Sequence, residues 1–410
     1  NSEMIKYFPG LLICFGLISV TPAIAQRGHG SLYSTIGLGL PTYDNYGLSK
    51  RLGGAGAGVR SPYFLNTVNP ASQNSIGLSH SFLLDVDVSY NLQKINTGDE
   101  TISNNFSNLN YFSMWFRLSP QSTASFGISP VTIQDYSYSD TYYFEGMADK
   151  YTRIFKGWGN INKVYLNYAT NLGSRLSVGI RPSFLFGNFQ NETTYLDKYD
   201  VGFLYSKQTS YSGVGAEAGF QINVVQNEGR ILTFGSTGQW YSNLNGTRTS
   251  QVETYAGSEV LYLADEIDLD YQLGSTVRSG LSFQNKSWTV GADVLYGFAS
   301  SDNEYSIANQ VYSLGAEFIP AYFSSDYIKQ MSFSLGMNYD TGSIQIEGAK
   351  VSAYEVSSSI GFPLNQSSRL NIGYKYRDMG SVDIISKESL NTITLNFTFG
   401  DTWFFRRKFE

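Results

Sequence analysis

In Thr392-Ile393-Thr394-Leu395-Asn396-Phe397-Thr398-Phe399, apolar and polar residues alternate without a fault. A period of two puts Ile393, Leu395, Phe397 and Phe399 on one face of a strand, with the hydroxyls and the amide on the other. Upstream, Leu370, Ile372, Tyr374 and Tyr376 alternate with Arg369, Asn371, Gly373, Lys375 and Arg377. Before that, Met331, Phe333, Leu335, Met337 and Tyr339 alternate with Ser332, Ser334, Gly336 and Asn338. One such strand is equally at home in a soluble sandwich. A long series with nothing helical between its members implies a closed sheet with one face in lipid.

The same reading over the whole chain gives strands near 78–91, 107–118, 122–134, 159–171, 174–188, 210–225, 230–241, 271–284, 286–298, 309–319, 328–340, 350–363, 366–378 and 389–400. The even total of about fourteen suits a single-chain bacterial barrel. The expected fold is all-β, a transmembrane antiparallel barrel. Ser119–Gln121, Asn171–Ser174, Gln226–Gly229, Asn285–Lys286 and Pro363–Gln366 read as short periplasmic turns. Between them, 135–158, 189–209, 242–270 and 379–388 read as long outer loops, the asymmetry expected of such barrels. Trp288, Trp240-Tyr241 and Trp403-Phe404-Phe405 stand at strand ends, where interfacial aromatics belong.

Composition agrees. Charged residues are only 15%, while Tyr (31), Phe (27) and Gly (41) are abundant and the mean hydropathy is slightly negative, at −0.19. With a single N-terminal apolar run, a helical membrane protein is excluded. The net charge is −6 and no basic stripe is present, which argues against nucleic acid as a partner.

The N-terminus has the form of an export signal. Lys6 precedes an apolar run from Tyr7 to Val20, and Ala23-Ile24-Ala25 supplies small residues for cleavage. Residues 1–25 are expected to be removed, leaving Gln26 as the mature start. Cys14, the only cysteine, lies in that run, so the mature chain would carry no disulfide. Ile13 before it does not suit lipid attachment.

Residues 26–77 do not alternate and are rich in glycine, notably Gly53-Gly54-Ala55-Gly56-Ala57-Gly58. Without a third glycine at dinucleotide spacing or a βαβ frame, this is no phosphate cradle. Small residues there suit close backbone packing inside a barrel. The run leading to Asn69-Pro70-Ala71-Ser72 resembles the N-terminal region of FadL-type long-chain fatty-acid transporters. The tail Gly400-Asp401-Thr402-Trp403-Phe404-Phe405-Arg406-Arg407-Lys408 is similar to distant members of that superfamily. The motif resemblance covers about 30 residues. It implies a fourteen-strand barrel with an N-terminal luminal plug (26–77), a barrel proper (78–400) and a periplasmic tail (401–410). Gly53, Gly54, Gly56, Gly58, Asn69, Pro70 and Ala71 then form the plug motif. Arg60-Ser61-Pro62-Tyr63-Phe64-Leu65 departs from the small and acidic residues usual before Asn-Pro-Ala, which bears on the substrate more than on the fold. The superfamily also includes barrels that serve protein-export machinery.

A FadL-type mechanism needs an apolar pocket and an interruption in the wall. Proline removes a ladder donor. Pro130 stands in the third strand, the one that carries the kink in the transporters, and the phase changes there: Phe126 and Ile128 share one face, then Val131 and Ile133 do. Pro182 in the fifth strand is a second lateral-opening candidate, although either proline could mark only a tolerated bulge. Leu83, Trp115, Tyr165 and Leu295 point inward and could line a greasy pocket or pack on the plug. Inward charges of both signs (Asp85, Asp87, Arg117, Arg181, Glu217, Arg278, Asp293, Glu317, Arg369, Lys375) suggest pairs that fix the plug, not an ion-selective pore.

No catalytic, metal or cofactor site is expected. His29 and His80 are the only histidines, and neither reaches the outer rim where a membrane-embedded hydrolase would need one. Asp265-Glu266-Ile267-Asp268 reads as a solvated loop in preference to a calcium site. Two functions in the outer membrane of a Gram-negative-type bacterium follow. One is FadL-like uptake of fatty-acid-like hydrophobic molecules with lateral release. The other is a noncatalytic subunit of a protein-secretion or barrel-assembly complex. The partners are outer-membrane lipids together with either a hydrophobic ligand or other outer-membrane and periplasmic proteins.

Overall fold

Along Ala353–Pro363, Ala353, Glu355, Ser357 and Ser359 are buried, whereas Tyr354, Val356 and Ile360 are exposed. The buried face is polar and the exposed face apolar, the reverse of a soluble strand. Leu335 (66% exposed) and Leu395 (43%) would be costly in water and are at home in lipid.

The computed structural model describes residues 30–401 apart from 44, 79, 144–149, 256–258, 323 and 366. The signal-peptide reading, Cys14, His29 and the tail beyond Asp401 lie outside the described residues. The wall is a closed antiparallel barrel of fourteen strands. They are β1 (Phe82–Asn96), β2 (Thr101–Arg117), β3 (Ser122–Tyr143), β4 (Lys150–Leu172), β5 (Leu176–Leu196), β6 (Gly202–Asn227) and β7 (Arg230–Tyr241). Next come β8 (Thr276–Asn285), β9 (Trp288–Gly297), β10 (Asn309–Phe318), β11 (Ser332–Asp340), β12 (Ala353–Pro363), β13 (Arg369–Ser381) and β14 (Ser386–Asp401). The ring closes between β1 and β14, from Phe82 opposite Asp401 to Asn96 opposite Lys387.

The barrel is lopsided. Strands β3 to β6 hold 22, 23, 21 and 26 residues, against 10, 10, 10, 9 and 11 in β8 to β12. A crossing takes roughly 9–11 residues, so one half of the wall stands well clear of the bilayer. The segments expected to be long outer loops are therefore mostly strand. Beyond Ser242, β7 continues as Asn243–Thr254, which returns through Val260–Leu263 and Ile267–Gln272 into β8. Stacked cross-strand pairs such as Tyr138 on Phe155 (4.8 Å) and Tyr195 on Phe203 (4.7 Å) hold this extension together. Its outward face meets water, and its buried inward face mixes Phe189, Leu196 and Tyr211 with Thr194, Ser206 and Thr209, so hydropathy contrast fades while pairing persists.

The N-terminal segment lies against the inward face. It contains a short helix, Gly47–Arg51, and a tight turn, Pro70–Ser75. Leu48, Leu52, Ala55, Val59 and Phe64 form one apolar cluster with Ile319, and Leu65 and Ile76 form another with Leu83 and Trp115 of the wall. Gly53 adopts φ +63°, and its backbone rests on β11 at Gly336 and Met337. A Cβ on Gly336 would stand 2.1 Å from Gly53 N, so neither position has room for a side chain.

Candidate functional site

Charged side chains of both signs tie the N-terminal segment to the wall. Lys50 pairs with Asp87 of β1 at 3.2 Å, and Arg51 pairs with Glu317 of β10 at 2.9 Å. Burial holds the Lys50 ammonium below its ordinary pKa, with Asp87 opposing that effect. Arg181 of β5 bridges Glu217 (2.9 Å) and the carbonyl of Thr67 (2.7 Å). Arg278 of β8 donates to the carbonyls of Gly54 (2.7 Å) and Tyr43 (2.9 Å). The Asp293 carboxylate of β9 accepts the N–H groups of both Gly56 and Ala57, each at 2.7 Å. The glycine run thus presents its backbone as a ligand to wall charges.

The two parts of the N-terminal motif meet at Asn69. Its side chain caps the turn by accepting from Ala71 N (3.0 Å) and donates to Ala57 O (2.9 Å) and Phe220 O of the wall (3.0 Å). Pro70 opens that turn and Ala71 is fully buried. Replacing Asn69 with alanine is expected to destabilise the barrel by about 2 kcal/mol, since a cap and two bonds to backbone carbonyls are lost together. A lowered midpoint of thermal unfolding in detergent would show it, and an unchanged one would refute it.

Around Pro130 the wall is interrupted. The β2–β3 ladder ends at Phe112 opposite Ile128. On the β4 side the register shifts between Pro130 and Thr132, leaving Val131 as the extra residue. A matching shift in β2, where Asp87 faces Tyr111 but Val88 faces Leu109, leaves Asn110 over. The two bulges stand at the level where β2 and β3 part. The edge β3 exposes is taken by the two-residue strand Leu40–Pro41, which pairs with Ile133 and Thr132. Thr42 and Tyr46 hydroxyls both donate to Pro130 O at 2.8 Å. A cavity of about 250 Å³ lies behind the break, between Phe106 and Asn110 on one side and Pro130 and Ile133 on the other. Lys50, Asp135, Asp340, Glu355, Lys375, Arg377 and Glu388 bring charge to its lining.

The other candidates lie away from the break. Pro182 faces outward in β5; its pairing with β6 is continuous, and the ladder with β4 lapses at Arg181 and Pro182 but resumes in the same register. Leu83 and Trp115 are fully buried against Leu65 and Ile76, and the Trp115 indole donates to Gln73 O (3.1 Å). Tyr165 lies under the Arg181 guanidinium at 5.0 Å, and Leu295 is buried. Sequence reasoning did not single out Lys50, Arg51, Asn66, Gln221 or the Leu40–Pro41 edge. Asn66 donates to the carbonyls of Gly56 (2.7 Å) and Val59 (2.9 Å), and Gln221 donates to that of Ala57 (2.9 Å). The one available signal was Lys50-Arg51, adjacent cations in a segment otherwise poor in charge.

Solved structures share the architecture. The toluene transporter TodX of P. putida superposes with a TM-score of 0.60 at 14% identity, over 89% of this chain and 100% of that one. A FadL homologue of Pseudomonas aeruginosa gives 0.58 at 10%, over 88% and 98%. The monoaromatic hydrocarbon channel CymD gives 0.57 at 12%, over 89% and 98%. At such identities the likeness is one of fold, the FadL-type outer-membrane barrel. No curated protein sequence matches. The model of one family, BamG, matches residues 4–410. With almost its whole length matched, this outer-membrane barrel of a Gram-negative bacterium belongs to the BamG family.

Proposed function

We propose that this chain is a noncatalytic barrel subunit of a larger outer-membrane machine for barrel assembly or protein secretion. The observation that carries the reading is the state of the lumen. The N-terminal segment is tied at Lys50, Arg51, Gly54, Gly56 and Thr67 to charges from five strands, and in this reading it serves as a fixed plug. The space left behind the break is lined by seven charged side chains, against which an apolar solute gains little and strips water from ions. What remains available is the outer surface, above all the tall wall of β3 to β7, where Tyr138, Tyr143, Tyr199 and Phe203 are exposed. Aromatic side chains of this kind are favoured at protein interfaces.

A second reading is uptake of small fatty-acid-like or other apolar molecules with lateral release. The wall break at Pro130 favours it, as does the apolar cluster of Leu38, Val131, Ile161, Leu185 and Leu273 beside the bulge. A cavity of about 110 Å³ adjoins that cluster at Val131 and Leu273.

Purification from native outer membranes in mild detergent, with mass spectrometry of the protein and lipid fractions, separates the two. The subunit reading expects stoichiometric recovery with other outer-membrane proteins and no bound apolar ligand. A lone chain carrying fatty acids or other apolar molecules would overturn it and make Pro130 the next residue to vary.

A further inference from the structure

The periplasmic end of the barrel holds a cavity of about 650 Å³ among the short turns, separate from the wall break. Three cations line it: Arg60 of the N-terminal segment, Arg117 at the end of β2 and Lys286 in the β8–β9 turn. No aspartate or glutamate lines it among the described residues, although the chain as a whole carries a net charge of −6. Arg117 is held by the carbonyls of His80, Ile76 and Gly77, which orient its guanidinium, and no carboxylate pairs with it among the described residues. Burial pushes the Arg60 guanidinium down to about 10, with no carboxylate among the described residues offsetting it.

The polar lining narrows the class of ligand. Asn74 is buried and faces the cavity. Its Nδ2 donates to Gln121 O at 2.8 Å, while its Oδ1 has no hydrogen-bond partner among the described residues. A buried acceptor left unpaired is costly, and a donor from a ligand would relieve that cost. Asn171 and Asn285 add further amides to the wall. A bare anion brings only acceptors, whereas a peptide brings backbone N–H groups for Asn74 and carboxylates for the cations. The volume also exceeds what one anion needs and suits several side chains.

We propose that this cavity docks an acidic segment of a periplasmic protein, its carboxylates on Arg60, Arg117 and Lys286 and a backbone N–H on Asn74. The proposal deepens the subunit reading and rests on it, since it states the chemistry by which a partner is held at the periplasmic face.

The test uses the full barrel in detergent micelles and a fluorescein-labelled octaglutamate probe, read by anisotropy. Binding is expected to weaken about tenfold in Arg60→Gln and again in Lys286→Gln. It should be unchanged in Lys329→Gln, which alters an exposed cation in another periplasmic connection. Inorganic phosphate at matched ionic strength and phosphatidylglycerol in mixed micelles serve as competitors, and neither is expected to displace the probe. Absence of binding, equal weakening in all three variants, or full displacement by phosphate or phosphatidylglycerol would each overturn the proposal. Native co-purification of the wild-type chain keeps the two levels apart. Partners recovered without probe binding sink the docking site alone, and a lone chain sinks the subunit reading.

Discussion

Replacing Gly336 with leucine is expected to lift the N-terminal segment off the wall. The backbone of Gly53 lies so close to β11 that a Cβ on Gly336 would stand 2.1 Å from Gly53 N and 2.5 Å from Leu52 C. Those atoms belong to main chain and cannot swing aside as a side-chain end would. Overpacking costs typically 1–3 kcal/mol where side chains can adjust, and here the cost should reach or exceed about 3 kcal/mol. Lys50 and Arg51, buried in the native barrel, lie immediately before the contact and supply trypsin sites. Cleavage there is expected to quicken about a hundredfold, as an opening made roughly 3 kcal/mol easier would allow. Gly238→Leu is the control, because nothing lies within 4 Å of a Cβ at that position. Equal cleavage in both variants would refute the close contact.

Removing the Asp87 carboxylate should be nearly as damaging. In Asp87→Ala the buried Lys50 ammonium loses its ion-pair partner, and Asn110, which also donates to Asp87, loses its acceptor. Breaking a buried pair from one side costs about 3–5 kcal/mol. The pH dependence adds a second readout. Burial already depresses Lys50 below its ordinary value in the folded chain, and loss of Asp87 depresses it further. Between the depressed folded pKa and the ordinary one, the unfolded chain binds more protons, so stability rises with pH. Asp87→Ala is therefore expected to recover stability from neutral pH toward pH ~10 more steeply than the wild type. The double variant Lys50→Met/Asp87→Leu should regain most of the loss at neutral pH, because neither charge is then stranded. Parallel melting curves of Asp87→Ala and wild type across that range would exclude the pair as an anchor.

The outer extension shows where local pattern loses its force. Strands β9 to β14 alternate cleanly because lipid on one side and a polar interior on the other impose opposite demands on successive residues. Above the bilayer the outward face of β3 to β6 meets water and the inward face mixes polar with apolar residues, so the same ladder leaves little hydropathy record and reads as loop. The break follows a similar rule. The phase change at Pro130 is written in β3 itself, whereas its counterpart at Asn110 is hidden in Leu109-Asn110-Tyr111-Phe112, where apolar residues sit on both faces.

The sequence by itself determined the class of protein, the number of wall strands and the turns that join them, because a two-residue period and a lipid–water contrast are properties of neighbouring residues. It also marked the glycine run, Asn69 and Pro130 as unusual. Only the tertiary structure decided what these residues hold. Lys50 finds Asp87 across 37 residues of chain, Arg51 finds Glu317 across 266, and Leu40–Pro41 takes the β3 edge that β2 leaves. The basic cavity draws Arg60, Arg117 and Lys286 from three distant segments. Such pairings depend on where closure of the ring brings each inward side chain, and no local period carries that information.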